Sequence, residues 1–256
     1  MNSLKLCGLE GIPIIRQGDD LAEIILTALH RSKIVLQDGD ILVVTQKIIS
    51  KAEGRLINLT DIHPAASSRR MAKRCNKDPR LVEIILQESN SVLRVRPGIL
   101  IVEHRLGFVC ANAGIDHSNI QDRPGTTQEW VSLLPKDPDA SARNLRQTLQ
   151  SRTKTELGVL IIDSHGRAWR NGTSGVAIGL SGLPGLEDLR GKPDLFDRKL
   201  QITTVGVADE LAAAASLLMG QASEGTPVIH VRGFPYPLRE GSLKELLRPK
   251  DEDLFR

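Results

Sequence analysis

Four groups of residues in this chain have the types needed to hold cations and phosphates together. The first is Asp163, which follows the apolar run Val159-Leu160-Ile161-Ile162 and precedes Ser164-His165-Gly166-Arg167. A carboxylate just past a buried strand projects rigidly from a sheet edge, where open α/β sheets bind their ligands. With the Ser164 hydroxyl it offers hard oxygen donors suited to Mg2+ or Mn2+ beside phosphate. The second is Asn112-Ala113-Gly114-Ile115-Asp116-His117-Ser118-Asn119, an oxygen-rich run apt for a hard cation, ribose or phosphate. On spacing alone, both runs read equally well as turns built from Asp, Asn and Gly.

The third group, Ser50-Lys51-Ala52-Glu53-Gly54-Arg55, puts a hydroxyl and a cation close after an apolar strand, apt for phosphate but no less apt for a surface turn. The fourth is Gly220-Gln221-Ala222-Ser223-Glu224-Gly225, whose glycines let backbone approach a ligand closely. It follows a helix C-terminus, whose dipole favours a cation over phosphate. A plain Gly-capped helix end would look the same.

Several motifs are missing. The segment from Gly185 to Gly191-Lys192 is one residue too long for a P-loop, and Pro193 stands where Ser or Thr is required. No G-x-G-x-x-G or G-x-S-x-G is found. The histidines and cysteines lack zinc-ligand spacing, and a lone His117 or His165 reads as a polar loop residue.

The elements that must position these groups are legible in outline. Leu9 to Gly18 reads as a loop, and Asp19-Asp20 then opens a helix with Leu21, Ile24, Ile25, Ala28 and Leu29 on one face. Ile41 to Thr45 reads as a strand buried on both faces. Helices are expected over 67–75 and 79–88, and short strands over 93–95, 99–102 and 108–111. A helix over 141–154 would be capped by Asp139 or Ser141. Strands follow over 158–162, ending at Asp163, and over 176–180. The Ala-rich helix 209–219 stops at Gly220, and a last strand covers 228–231. This irregular mixture points to an α/β or α+β chain rather than a regular βαβ series. No composition break marks a boundary, so residues 1–256 read as one unit, with two intertwined subdomains as the alternative.

Composition excludes some functions. Aromatic residues make up 3% of the chain, too few for base-stacking platforms. A net charge of +3 is mild, and the clusters Arg69-Arg70 with Lys73-Arg74 and Arg143 with Arg146 read first as solvated helix faces, second as attraction for an anionic ligand such as a nucleotide. Neither nucleic acid nor membrane is expected as a partner, there being no long apolar stretch. Three scattered cysteines and no leader pattern imply the cytoplasm.

The groups together are more specific than any one of them. Gly8-Leu9-Glu10-Gly11-Ile12-Pro13, Ile49 to Arg55, Asn112 to Asn119, Leu134-Pro135 with Asp137-Pro138-Asp139, Asp163 to Arg167, Ala177 to Gly182, and Val207 to Ala212 continuing to Gly220 occur in this order. The series, from about Leu6 to about Arg248, resembles the coenzyme F420-0:L-glutamate ligase family, also called F420:gamma-glutamyl ligase.

That resemblance implies an unusual non-P-loop α/β fold with mixed sheets in an intertwined homodimer, without the C-terminal nitroreductase-like domain that some relatives carry. It implies GTP as co-substrate, two Mn2+ or Mg2+ ions per site, and K+ in support. Coenzyme F420-0 and L-glutamate would be the other substrates. Metal ligands would be Asp116, Asp163, Ser164 and Gln221. The nucleotide would meet Ile12, Pro13, Ile14, Ile15, Gln46, Lys47, Lys51, Asn119, and Leu217, Leu218, Met219, Gly220, Gln221, Ala222, Ser223 and Glu224. Asp116, Asp163 and Lys51 would serve catalysis, and Glu53 or Glu210 is a candidate base. Relatives usually have Ser-Thr where Gln46-Lys47 stands, Thr at Ser164 and Asn at His165. The alternatives are a ligase of another carboxylate with an amino acid, and a non-catalytic GTP-binding module.

Overall fold

The computed structural model describes residues 3–117 and 129–253. Its centre is a five-stranded sheet in the order β1-β12-β2-β8-β9, formed by β1 (Lys5–Gly8), β12 (Val228–Arg232), β2 (Ile41–Thr45), β8 (Gly158–Arg167) and β9 (Arg170–Ser181). Only β2 and β8 run parallel; the other neighbours are antiparallel.

The period of two along these strands sorts their side chains into two cores. Leu42, Val44, Val159, Ile161 and Val228 face α1 (Leu21–Arg31), α2 (Gln46–Ala52) and α5 (Pro138–Thr153). Ile41, Val43, Leu160, Ile162, Ile229 and Val231 face α6 (Val207–Met219). Covered on both faces, β2 is apolar and buried from Ile41 to Val44, as its sequence implies. Each fully buried Leu or Ile contributes about 1.5–3 kcal/mol relative to exposure.

Close approach fixes two glycines. A Cβ on Gly179 would lie 2.4 Å from Pro138 at the start of α5, and one on Gly175 would lie 2.4 Å from the Ala212 carbonyl of α6. Gly179 belongs to a bulge in β9, where the pairing with Ile161 and Ile162 skips a residue.

A second, three-stranded sheet joins β4 (Ser89–Arg96), β5 (Ile99–His104) and β6 (Val109–Ala111). It is packed by α3 (Ala66–Cys75) and α4 (Pro79–Gln87) around Val82, Ile85, Leu100 and Val102. The pair β3 (Leu56–Asn58) and β7 (Trp130–Ser132) encloses a small core of Leu59, Ile84, Val131 and Leu133. The short pair β10 (Glu187–Asp188) and β11 (Thr204–Val205) brackets a largely exposed segment.

The observed elements correct three sequence expectations. The strand expected to end at Ile162 runs on to Arg167, because residues 163–167 keep their backbone bonds to β9 after their burial has ended. The cap of α5 is Asp137, which accepts from the Ala140 amide with Pro138 at the first helical position. That frees Asp139 to accept from Leu180 at 2.8 Å and from Leu243 at 3.0 Å, tying the helix to β9 and the segment beyond it. Of the run Ser50 to Arg55, only Glu53-Gly54 is a turn: its first three residues end α2, which starts directly after Thr45 with Gln46 and carries Lys47 and Lys51.

Candidate active site

The C-terminal end of the parallel pair β2–β8 gathers the sequence motifs. Thr45 and Ile162 form the last parallel pair, so Gln46, which starts α2, and Asp163, which continues β8 beside β9 alone, stand at the same level. The Thr45 amide donates to the Pro227 carbonyl at 2.9 Å, which brings the chain leaving the 220–226 loop to this edge. The first loop arrives too: Leu9 donates to the Val228 carbonyl and Gly18 to that of Ala52, both at 2.9 Å. Asp116 exchanges two backbone bonds with Ser132, and Leu133 donates to the Arg55 carbonyl, which brings the Asp116 strand beside α2.

The charges then meet. Lys47 Nζ lies 2.7 Å from Asp116 Oδ2, both side chains about a quarter exposed at 26% and 30%. One turn further along α2, burial lowers the Lys51 ammonium below its usual 10.5; Lys47 adds to this and Asp116 opposes it. A polyanion bound beside it would favour the charged form of Lys51.

Asp163 has a different neighbour. Its Oδ2 accepts from His165 Nε2 at 3.0 Å, two residues along β8 and therefore on the same face of the strand. The His165 ring lies against Phe108, with centroids 5.2 Å apart and planes at 50°. Phe108 stacks on His104, at 5.3 Å and 9°. Burial holds the His104 imidazole down to about 4, and pushes the Cys110 thiol up to about 12. Burial also raises the Asp209 carboxyl, opposed by its hydrogen bond from the Ala177 amide at 2.9 Å. That bond anchors the start of α6 to β9 just after Val176, the partner of Asp163.

The other expected site residues take varied positions. Strand alternation turns Ser164 to the face that packs α6, opposite Asp163. Gln46 is buried and accepts from the Ser50 hydroxyl at 2.9 Å. Of Ile12, Pro13, Ile14 and Ile15, the last is buried, Ile12 packs against the core, and Ile14 and Pro13 are exposed. At the end of α6, Leu217 and Leu218 are exposed while Met219 packs on the core. Gly220, at φ 69°, turns the chain there. The Glu224 carboxylate folds back to the Ala222 amide at 2.8 Å, and Gln221, Ala222 and Ser223 are exposed. Asn119 lies outside the described residues. Of the two candidate bases, Glu53 accepts from Ser141 at 2.5 Å and Glu210 is exposed on α6. Arg69, Arg70, Lys73, Arg74 and Arg143 sit on solvated helix faces, whereas Arg146 is drawn in, donating to the Leu157 carbonyl at 2.7 Å and pairing with Glu240.

Sequence reasoning misses the roles of His165, Phe108 and Asp209. The one available signal is the i, i+2 spacing of Asp163 and His165. It is hidden because the apolar pattern of the strand stops before them.

Asp116, Asp163, Ser164 and Gln221 offer only carboxylate, hydroxyl and amide oxygens, which suits a hard divalent cation and not zinc. Among the described residues no three His, Cys, Asp or Glu side chains converge on one point. An open cleft of about 620 Å³ between β1 and the end of α1, lined by Lys5, Cys7, Glu10, Arg31 and Lys33 among others, contains none of these donors.

Residues 11–233 match the family described as F420-0:Gamma-glutamyl ligase. The coenzyme F420:L-glutamate ligase of Methanothermobacter thermautotrophicus is 49% identical, over 99% of this chain and 99% of its own. That of Methanopyrus kandleri is 45% identical, over 100% of both chains. That of Archaeoglobus fulgidus is 42% identical, over 96% of this chain and 94% of its own. With full-length relatives at this identity, the chain belongs to the F420-0:Gamma-glutamyl ligase family.

Proposed function

We propose that this chain joins L-glutamate to coenzyme F420-0, and extends the γ-linked tail, while converting GTP to GDP and phosphate. The relatives' names support the substrates. The observation that carries the reading is the pairing of Lys47 with Asp116 beside Lys51, at the sheet edge where Asp163 emerges.

A carboxylate and an amine do not condense in water, because the leaving group is poor. The proposed route forms a bond between the coenzyme's carboxylate oxygen and the γ-phosphorus of GTP, with GDP departing. The glutamate amine then bonds to the acyl carbon, the acyl–oxygen bond breaks, and phosphate leaves. Phosphoryl transfer of this kind asks for positioning and charge neutralisation more than for covalent work by the protein. Lys47 and Lys51 supply fixed positive charge, and the 12–15 segment with the 217–224 stretch bounds the nucleotide. Asp116, Asp163, Ser164 and Gln221 would hold two Mn2+ or Mg2+ ions, with K+ assisting, which would offset the repulsion between carboxylate and triphosphate.

The proposed working form is a cytoplasmic homodimer. Trp169, at the tip of the β8–β9 hairpin, is 88% exposed, and Leu195, Phe196 and Ile202 are exposed at 97%, 79% and 88%. Apolar side chains left in water in this number fit a surface that a second copy covers. No cysteine is disulfide-bonded, and no helix among the described residues is long and apolar enough to cross a membrane.

The test is incubation with F420-0, GTP, Mn2+ and L-glutamate, followed by mass. Products heavier by successive glutamate residues, with GDP formed in step, are expected. GTP turnover with no heavier product would sink the ligase reading, and equal rates with ATP would sink the choice of nucleotide.

A further inference from the structure

An aromatic column joins the smaller sheet to Asp163. It begins at His104, which is 2% exposed at the end of β5. The His104 Nδ1 accepts from the Leu106 amide at 3.0 Å, while its backbone amide donates to the Phe108 carbonyl at 2.8 Å and its carbonyl accepts from Gly107 at 2.8 Å. The turn from 104 to 108 is thus held by three hydrogen bonds, and it delivers the Phe108 ring between two imidazoles. His104 stacks beneath it and His165 leans on it from β8. The far end of the column is the bond from His165 Nε2 to Asp163 Oδ2.

Asp163 stands where the hairpin leaves the core. Ile162 is buried, while Gly166 and Arg167 are exposed. A carboxylate at such a border would ordinarily sample several rotamers, and fixing one has an entropic cost. A carboxylate can only accept hydrogen bonds, so the shared proton is on the imidazole. With 12% of the His165 side chain and 16% of the Asp163 side chain exposed, the pair is ordered yet reachable.

We propose that His165 is a positioning residue for cation binding: braced by Phe108, it fixes Asp163 through Oδ2 so that the carboxylate meets a divalent cation in one orientation. Hydrogen bonds to ligating carboxylates commonly change metal affinity by about 10- to 100-fold. The inference rests on the reading of Asp163 as a cation ligand.

The test reads Mn2+ binding directly, from loss of the free-ion electron paramagnetic resonance signal on titrating the full chain with saturating GDP. His165→Ala should weaken Mn2+ binding by about 10- to 100-fold. His165→Gln, which restores an N–H donor at about the same reach, should recover most of that loss. Phe108→Leu, which keeps the proton donor and removes its brace, should fall between wild type and His165→Ala. Circular dichroism and thermal melts of each variant separate these effects from misfolding, and the Gln and Leu variants serve if the Ala variant does not fold. Wild-type affinity in His165→Ala, or no recovery in His165→Gln, overturns the proposal. Asp163→Ala distinguishes the two levels. If it binds Mn2+ as wild type does, the cation-site reading falls and this inference with it. If it loses Mn2+ while His165→Ala does not, only this inference falls.

Discussion

The two ends of the central strand pair each carry a carboxylate bonded to a histidine, and the two pairs are built to opposite ends. At the N-terminal end of β2, Asp40 accepts from His230 Nε2 at 2.9 Å, from Arg232 at 2.8 and 2.7 Å, and from the Gln37 amide at 2.9 Å. The Asp40 and His230 side chains are 1% and 3% exposed. At the C-terminal end, Asp163 has His165 at 3.0 Å, and both side chains reach water. A buried charge must be fully partnered to persist, so Asp40 is closed and can take no further ligand. A carboxylate with one side-chain partner and partial access can still accept one. The same chemical pair serves as a rivet at one end and as a binding group at the other, and the difference lies in the number of partners.

Breaking the two ends should therefore give opposite phenotypes. Asp163→Ala should abolish ligation while changing stability by about 1 kcal/mol or less, read by product mass and a thermal melt. Near-normal turnover in Mn2+ would remove Asp163 from the site. Asp40→Ala should do the reverse, losing about 3 kcal/mol in denaturant titration by leaving the buried His230 Nε2 unpartnered and Arg232 with only its bond to the Val35 carbonyl, with turnover per folded molecule kept.

Within the open end, Lys51→Met should weaken GTP binding by about 10- to 100-fold, the worth of one charged hydrogen bond to phosphate, measured by calorimetry. An unchanged affinity would move the phosphates away from α2.

The closed end should also be acid-sensitive in stability. Burial alone would raise the Asp40 carboxyl, but Arg232, His230 and the Gln37 amide outweigh it and hold the group below 3.8. A depressed carboxyl contributes fully above its unfolded value and loses that contribution as pH falls through the lower folded value. The stability gap between wild type and Asp40→Asn should therefore be constant above pH 3.8 and narrow below it. The smallest effect is expected of Lys47 with Asp116. A double-mutant cycle on stability should give less than about 1 kcal/mol for so exposed a pair. A larger coupling would make that pair structural, like the one at Asp40.

Much of this architecture is legible in the order of the residues. The apolar run at 41–45, Asp20 as a helix cap, and Gly220 as a helix stop are local signals, and each element stands where its residues imply. The oxygen-bearing motifs are recognisable by type. Local signals fail where the chain's behaviour depends on a distant partner. Residues 163–167 look like a turn until β9 supplies their hydrogen bonds, and Asp139 looks like a cap until Leu180 and Leu243 claim it.

By itself, then, the sequence determined most of the strands and helices of the core, though not β1 or α2, and which side chains could bind cations and phosphate, because periodicity and side-chain chemistry act over a few residues. Only the tertiary structure decided that Lys47 meets Asp116 from a distant part of the chain, that Phe108 braces His165, and that Asp40 is sealed while Asp163 stays open. Those outcomes depend on strand register and on how deeply each end of the sheet is covered. Both are properties of segments far apart in sequence, and no local pattern encodes them.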